Sequence, residues 1–278
     1  MNCFKLVSLS FLLLFHISSV QAQLDQNASL TFDIDGKSQT IKLKDIQKHV
    51  PAYEVTLFNP AYKKTITYRA FKFAEVAKLG KIDIHSSSQI SFIARDGYEA
   101  VMSKNILKRF PEPWLAFEEL NTKNGEVFSL VAEGKEITDP APFYLMWQQP
   151  DSYEAFPWPF AISQISVNTK YDQYFALKPK HKLTAQVERG YFIFKTRCMA
   201  CHSINLIGGT IGPELNIPKN ITEYRSMSFL KAWIKDPSSF RARNRMTNFG
   251  KVTEKEIDDV LAYIQYMKNF KNLKEIKK

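Results

Sequence analysis

Cysteine is scarce in this chain, with three in 278 residues. Cys3 lies within the first 22 residues, which have the layout of a secretory signal. Lys5 gives the positive start, Phe11-Leu12-Leu13-Leu14-Phe15 the apolar centre, and Val20-Gln21-Ala22 a small-x-small cleavage site. Cys198 and Cys201 are then the only cysteines of the mature chain. One short motif uses both, so structural disulfides are excluded even in the oxidising compartment that export implies. Long apolar runs are lacking as well. The apolar centre of the signal is short for a membrane span, an uncleaved N-terminal anchor being the alternative reading, and no later stretch could cross a bilayer. Glycine is sparse too, ten residues in all, yet three of them fall at positions 208, 209 and 212.

What is present is Cys198-Met199-Ala200-Cys201-His202. Two cysteines three apart with a histidine directly after the second form the attachment signature of a c-type haem. The spacing has a chemical reason. Each thiol adds across one porphyrin vinyl group, and residues one helical turn apart reach the same edge of the macrocycle. His202 is then carried under the ring, where its imidazole can ligate iron. Two plainer readings fail. A zinc site needs a second ligand pair, and no cysteine remains to supply it. A thioredoxin-like redox pair needs a βαβ setting, which the surrounding pattern does not offer.

The charge is uneven. Residues 23 to 181 carry 19 Lys+Arg and 19 Asp+Glu, whereas residues 182 to 278 carry 18 and 9. A basic, exported haem half points to an acidic redox partner protein, or to an anionic membrane surface, and away from nucleic acid. Solvation of the domain is the plain alternative.

Residues 23–169 read as an α+β domain dominated by strands. Leu30, Phe32 and Ile34 alternate with polar residues, Asp35-Gly36 is a hairpin turn signal, and Ile41 and Leu43 follow. Further strands are predicted at 53–58, 65–68, 89–94, 122–131, 144–147 and 160–167, with a short helix over 71–77 stopped by Gly80. Arg95 and Asp96 are expected to pair as a turn-stabilising ion pair, a small-anion site being the alternative. His49 and His85 read as surface residues. Trp114, Trp147 and Trp158 read as core or interface aromatics. The hairpin with Asp-Gly, the Tyr-Arg-x-Phe helix, the strand ending Ala94-Arg95-Asp96-Gly97-Tyr98 and the closing Trp158-Pro159-Phe160 strand resemble a reduced molybdopterin-binding domain of sulfite-oxidase-like oxidoreductases. That resemblance spans about residues 28 to 168. It implies the fold. Its molybdenum chemistry would need a cysteine thiolate, and none is left here. A docking or ligand-binding module without molybdopterin is therefore expected, with a cysteine-free cofactor site as the alternative.

Residues 170–183 contain Lys178-Pro179-Lys180-His181-Lys182, a polar and basic stretch expected to be a linker. From 184 to 278 an all-α domain is expected. Thr184 caps a helix running into Cys198, with Gly190 and Phe194 on one face. Ile257, Val260, Leu261, Ile264 and Met267 mark a last amphipathic helix, begun by a Thr253/Glu256 capping box. A further helix is predicted over 228–236. This pattern resembles the class I cytochromes c. The resemblance implies that Gly190 and Tyr263 mark a close crossing of first and last helices. It implies that the Pro213 carbonyl binds the imidazole of His202, that Leu215 packs on the haem and that Trp233 lies beside it. It also implies Met246 as the second axial ligand, although Thr247 stands where that family has proline. His181 is the imidazole alternative. Lys195, Arg197, Arg241, Arg243 and Arg245 are expected around the exposed haem edge. One covalent haem c would then transfer single electrons in the periplasm. The alternatives are an N-terminal domain that oxidises a small molecule and feeds the haem, and a haem-based sensor.

Overall fold

The computed structural model describes residues 24–87, 89–122, 125–133, 136–156, 158–169, 173–180, 184–246 and 252–274. The signal segment, His181 and Thr247 lie outside these residues. The chain builds two separate hydrophobic cores.

The first core lies between two sheets. The chain opens with β1 (Ser29–Ile34) and β2 (Lys37–Lys42), followed by α1 (Leu43–His49), β3 (Ala52–Asn59), β4 (Lys64–Lys72) and α2 (Phe73–Leu79). Then come β5 (Gln89–Ala94), β6 (Glu99–Ser103), α3 (Lys104–Arg109) and β7 (Trp114–Glu119). The half closes with β8 (Val131–Glu133), β9 (Glu136–Thr138), β10 (Tyr144–Met146), α4 (Ser152–Ala155) and β11 (Ile162–Val167). One sheet has the order β2-β1-β11-β5-β6, the other β10-β7-β4-β3, and β8 and β9 form a small hairpin. Only the β1–β11 pair of the five-stranded sheet is parallel.

Local chemistry sets these elements. Asp35 and Gly36 both take positive φ, 55° and 80°, and this closes the two-residue β1–β2 turn. Leu30 and Phe32 of β1 point inward and are buried. Phe71 of β4 stacks on Phe117 of β7 with centroids 4.5 Å apart, and Phe73 of α2 packs on Phe92 of β5 at 5.3 Å. Each such ring removes a large apolar area from water, so these contacts dominate the core. Trp147 and Trp158 are buried, and their indole N–H groups donate to Phe110 O at 3.1 Å and Ser152 Oγ at 2.9 Å.

Several expectations need correction. The helix expected over 71–77 begins only at Phe73, because Phe71 is still a paired strand residue. Among the described residues of 122–131, strand structure begins only at Val131, the start of β8. A strand that was not expected, β7, lies just before that stretch at 114–119, where Trp-Leu-Ala-Phe-Glu-Glu hides its alternation because both faces are covered. Arg95 and Asp96 do not pair with each other. Arg95 lies 3.8 Å from Asp139, and Asp96 pairs with Arg245 of the other half. Within the expected linker, only residues 173–180 are described. Gln173–Leu177 forms a 3₁₀ turn that buries Tyr174 and Leu177 in the second core.

The second core is helical. Its elements are α5 (Ala185–Ile193), the two-residue strands β12 (Ser203–Ile204) and β13 (Ile207–Gly208), α6 (Met227–Lys235) and α7 (Glu254–Met267). Thr184 caps α5, and the Thr253/Glu256 box caps α7 with both of its reciprocal bonds made. At the α5–α7 crossing, a Cβ on Gly190 would overlap the carbonyl oxygen of Asp259 and lie 2.8 Å from Tyr263 Cβ. Glycine is what lets the two backbones touch. Tyr263 is fully buried there against Phe194, and its hydroxyl donates to Leu177 O at 2.7 Å.

Candidate functional site

The α5 helix widens into a π-helical turn at Phe194–Cys198, a distortion common where a helix delivers functional side chains. This turn and the next residues place Cys198, Cys201 and His202 on the wall of one cavity of about 770 Å³. Leu215, Leu230, Trp233, Ile234, Leu261 and Ile264 line it too, and Met246 lies on it from the loop before α7.

The His202 side is held by a chain of close backbone contacts. Gly209 N–H donates to Met199 O at 2.8 Å, and Gly212 N–H donates to Cys201 O at 2.8 Å. A Cβ on Gly212 would lie 2.5 Å from His202 Nδ1, so the ring rests directly on this backbone. His202 Nδ1 is 2.9 Å from Pro213 O. That bond gives Nδ1 the proton and leaves Nε2 as the nitrogen with a lone pair. Burial holds the imidazole below its usual pKa, opposed by the Pro213 carbonyl and by Glu214, so the neutral, ligating form is favoured. Burial also pushes the Cys198 thiol up to about 12, far from the poised thiolate of a redox cysteine.

Sequence reasoning missed Glu214. Its Oε1 accepts from the backbone N–H groups of Asn205 at 3.0 Å, Asn216 at 2.8 Å and Ile217 at 3.2 Å. Its Oε2 accepts from Leu206 N–H at 2.9 Å. One carboxylate thus staples the β12–β13 turn to the segment carrying Pro213 and Leu215. Beneath it, buried amides continue inward: Asn216 Nδ2 donates to Asn205 Oδ1 at 2.9 Å, and Asn220 Nδ2 to Asn216 Oδ1 at 2.8 Å. Asn244 was missed as well. It brackets Met246, donating from Nδ2 to Met246 O at 2.9 Å and accepting Met246 N–H at 3.1 Å. An asparagine two residues before a loop methionine is a recognisable turn signal.

Trp233 stacks in a cluster with Phe229 and Phe240, the centroids 5.8 and 5.5 Å away. Of the basic residues expected around the opening, Arg197, Arg241 and Arg245 line the cavity, as does Arg225, which was not anticipated. Lys195 and Arg243 are not part of its lining.

Cavity, cysteine pair, imidazole and methionine suit a flat, apolar, iron-bearing ring. In agreement, residues 187–268 match the family model described as Cytochrome c. This part of the chain is a cytochrome c domain. No curated protein matches the chain. A cytochrome c domain implies covalently bound haem c and electron transfer through it. Residues here fit that group. Both cysteines line the cavity, no side chain separates Gly212 from the imidazole, and the remaining lining is largely apolar. Among the described residues, no helix is long and apolar enough to cross a membrane.

Proposed function

We propose that this chain is an exported monohaem c-type cytochrome that passes single electrons between redox partners in the periplasm. The observation that carries the reading is that Cys198, Cys201, His202 and Met246 all line one cavity. Cys198 and Cys201 would hold the haem covalently, and His202 Nε2 and the Met246 thioether would ligate its iron. Bound haem supplies an iron that alternates between ferrous and ferric states. The rest is done by the chain. Pro213 orients the His202 ring and raises its basicity. Asn244 shapes the loop that presents Met246. A thioether is a soft, neutral ligand that favours the reduced state, as suits an electron carrier. Leu215, Leu230, Leu261 and Ile264 keep water from the iron's surroundings. Arg197, Arg225 and Arg241 at the cavity offer a docking surface to an acidic partner.

The N-terminal domain is proposed to be a reduced sulfite-oxidase-like fold that serves as a docking or ligand-binding module. Its two-sheet core and the lack of a cysteine between residues 24 and 197 support that assignment.

The test is metal and haem content of protein matured in a periplasm with molybdopterin available. About one iron per chain as covalent haem and no molybdenum is expected. Met246→Ala should shift the ferric spectrum and open the reduced form to carbon monoxide. An unchanged spectrum overturns the axial assignment. Molybdenum near one per chain would instead make the N-terminal domain the catalytic half.

A further inference from the structure

The two halves meet at the β5–β6 turn of the N-terminal sheet, which bonds both to the segment carrying His202 and to the residue before Met246, two parts of the haem-cavity wall. On the His202 side, Glu99 N–H donates to Ala200 O at 2.9 Å, inside the Cys-Met-Ala-Cys-His motif itself. Thr210 N–H donates to Gly97 O at 2.9 Å, in the glycine-rich loop that leads to Gly212 and Pro213. On the Met246 side, Arg245 Nη2 donates to Asp96 Oδ2 at 2.7 Å. Arg245 directly precedes Met246. Four consecutive residues, Asp96 to Glu99, therefore span from the attachment motif to the methionine loop.

The spanning turn is itself well anchored. Gly97 takes φ +91°, and a Cβ there would overlap Thr210 Oγ1, so the two loops meet without a spacer. Gly97 N–H donates to Ala94 O at 3.0 Å, and Asp96 Oδ1 accepts Tyr98 N–H at 3.0 Å. The flanking strands pair from Gln89–Ser103 to Ile93–Glu99. The buried Tyr174 hydroxyl lies 2.7 Å from Ser91 Oγ and donates to the Glu99 carboxylate, pinning the root of the hairpin to the second core. The methionine loop is held differently. Asn244 and Met246 bond each other, which shapes the loop but does not fasten it to the other side of the cavity. The Asp96–Arg245 bond does fasten it.

We propose that Asp96 is a positioning residue for the sixth ligand of the iron. Through Arg245 it holds the Met246 loop in register with the His202 side, so the N-terminal domain sets how firmly methionine is bound. This rests on the reading of Met246 as axial ligand. The Asp96–Arg245 pair is half-exposed, so its effect is modest in size.

The test uses the full-length haem-loaded protein and exogenous imidazole as a competitor for the methionine position. Ferric protein is titrated with imidazole and followed by absorbance, and the midpoint potential is measured on the same samples. Asp96→Asn keeps an oxygen for Tyr98 N–H and removes the charge facing Arg245. It should raise imidazole affinity about two- to fivefold and lower the midpoint potential. Asp96→Glu, which keeps the charge, should stay near wild type. Arg245→Gln should act in the same direction as Asp96→Asn, and adding Asp96→Asn to it should change little further, because the bond they share is already gone. Imidazole affinity of Asp96→Asn equal to wild type, or single effects that add in the double variant, would overturn the proposal. Met246→Ala separates the two failures. If it leaves the ferric spectrum unchanged, the ligand assignment falls. If it changes the spectrum while Asp96→Asn changes nothing, only the role of Asp96 falls.

Discussion

At Gly212 the backbone lies flat against the imidazole of His202, and this single missing side chain fixes the ring's place. An added Cβ would lie 2.5 Å from Nδ1 and 2.7 Å from Nε2, so the ring would have to tilt and give up its bond to Pro213 O. Gly212→Ala is expected to keep covalent haem, since Cys198 and Cys201 are untouched, while losing normal axial ligation. Pyridine haemochrome assay with ferric absorbance checks this: full haem content with a displaced spectrum is the expected pair of results. Glu214→Gln tests the neighbouring staple. An amide offers one acceptor oxygen where the carboxylate offers two, and its NH₂ would face a backbone N–H. The loss should be about 1–3 kcal/mol, read from chemical denaturation. These residues differ in how far the sequence reveals them. Cys198, Cys201 and His202 are legible because covalent attachment forces a contiguous motif. Glu214 is not, because its four partners come together only after the β12–β13 turn has folded over it.

Among elements, the α5–α7 crossing carries the cytochrome domain, and one ion pair locks it. Arg189 of α5 donates from Nε and Nη2 to the Asp259 carboxylate of α7 at 2.7 and 3.0 Å, beside Lys255 at 3.7 Å. Asp259 is only 4% exposed. The Arg189 bonds hold its carboxyl below the ordinary aspartate value of 3.8, against the cost of burial. A depressed folded pKa means the pair stabilises fully above that ordinary value and fades as pH falls through the lower folded one. Asp259→Asn should therefore lower the melting temperature of the cytochrome domain at pH 7, with the gap to wild type closing below about pH 4. Scanning calorimetry across that range checks it; a constant gap would mean that the pair's charge contributes nothing. The same scale shows where periodicity stops informing. The α7 stripe and the caps at Thr184 and Thr253 were readable because one face meets water. β7 and the 3₁₀ turn at 173–177 were not. In β7 both faces are buried, and in the turn the exposed Phe175 and Ala176 stand between the two buried anchors, Tyr174 and Leu177, and blur the pattern.

For the whole molecule, charge and architecture separate along the same line. The half around the first core is neutral, and the excess of nine positive charges between residues 182 and 278 sits with the cytochrome domain. Part of that excess lines the haem cavity as Arg197, Arg225 and Arg241. Arg245 lines the cavity as well, with its guanidinium paired to Asp96 of the N-terminal half. The contact between the halves and the proposed docking surface thus draw on the same set of arginines, one of them paired with Asp96. If the remainder steers partners, reaction with a small anionic oxidant should slow as ionic strength rises, because screening shortens the reach of the field to about 10 Å at 0.1 M salt. A cationic oxidant of similar size should show the opposite slope. Arg225→Glu together with Arg241→Glu should flatten or invert both slopes in stopped-flow measurements while leaving the haem spectrum intact. Equal slopes for the anionic and cationic reagents would place the net charge away from the electron port. The excess would then serve solvation alone, and the acidic partner would have to be recognised elsewhere.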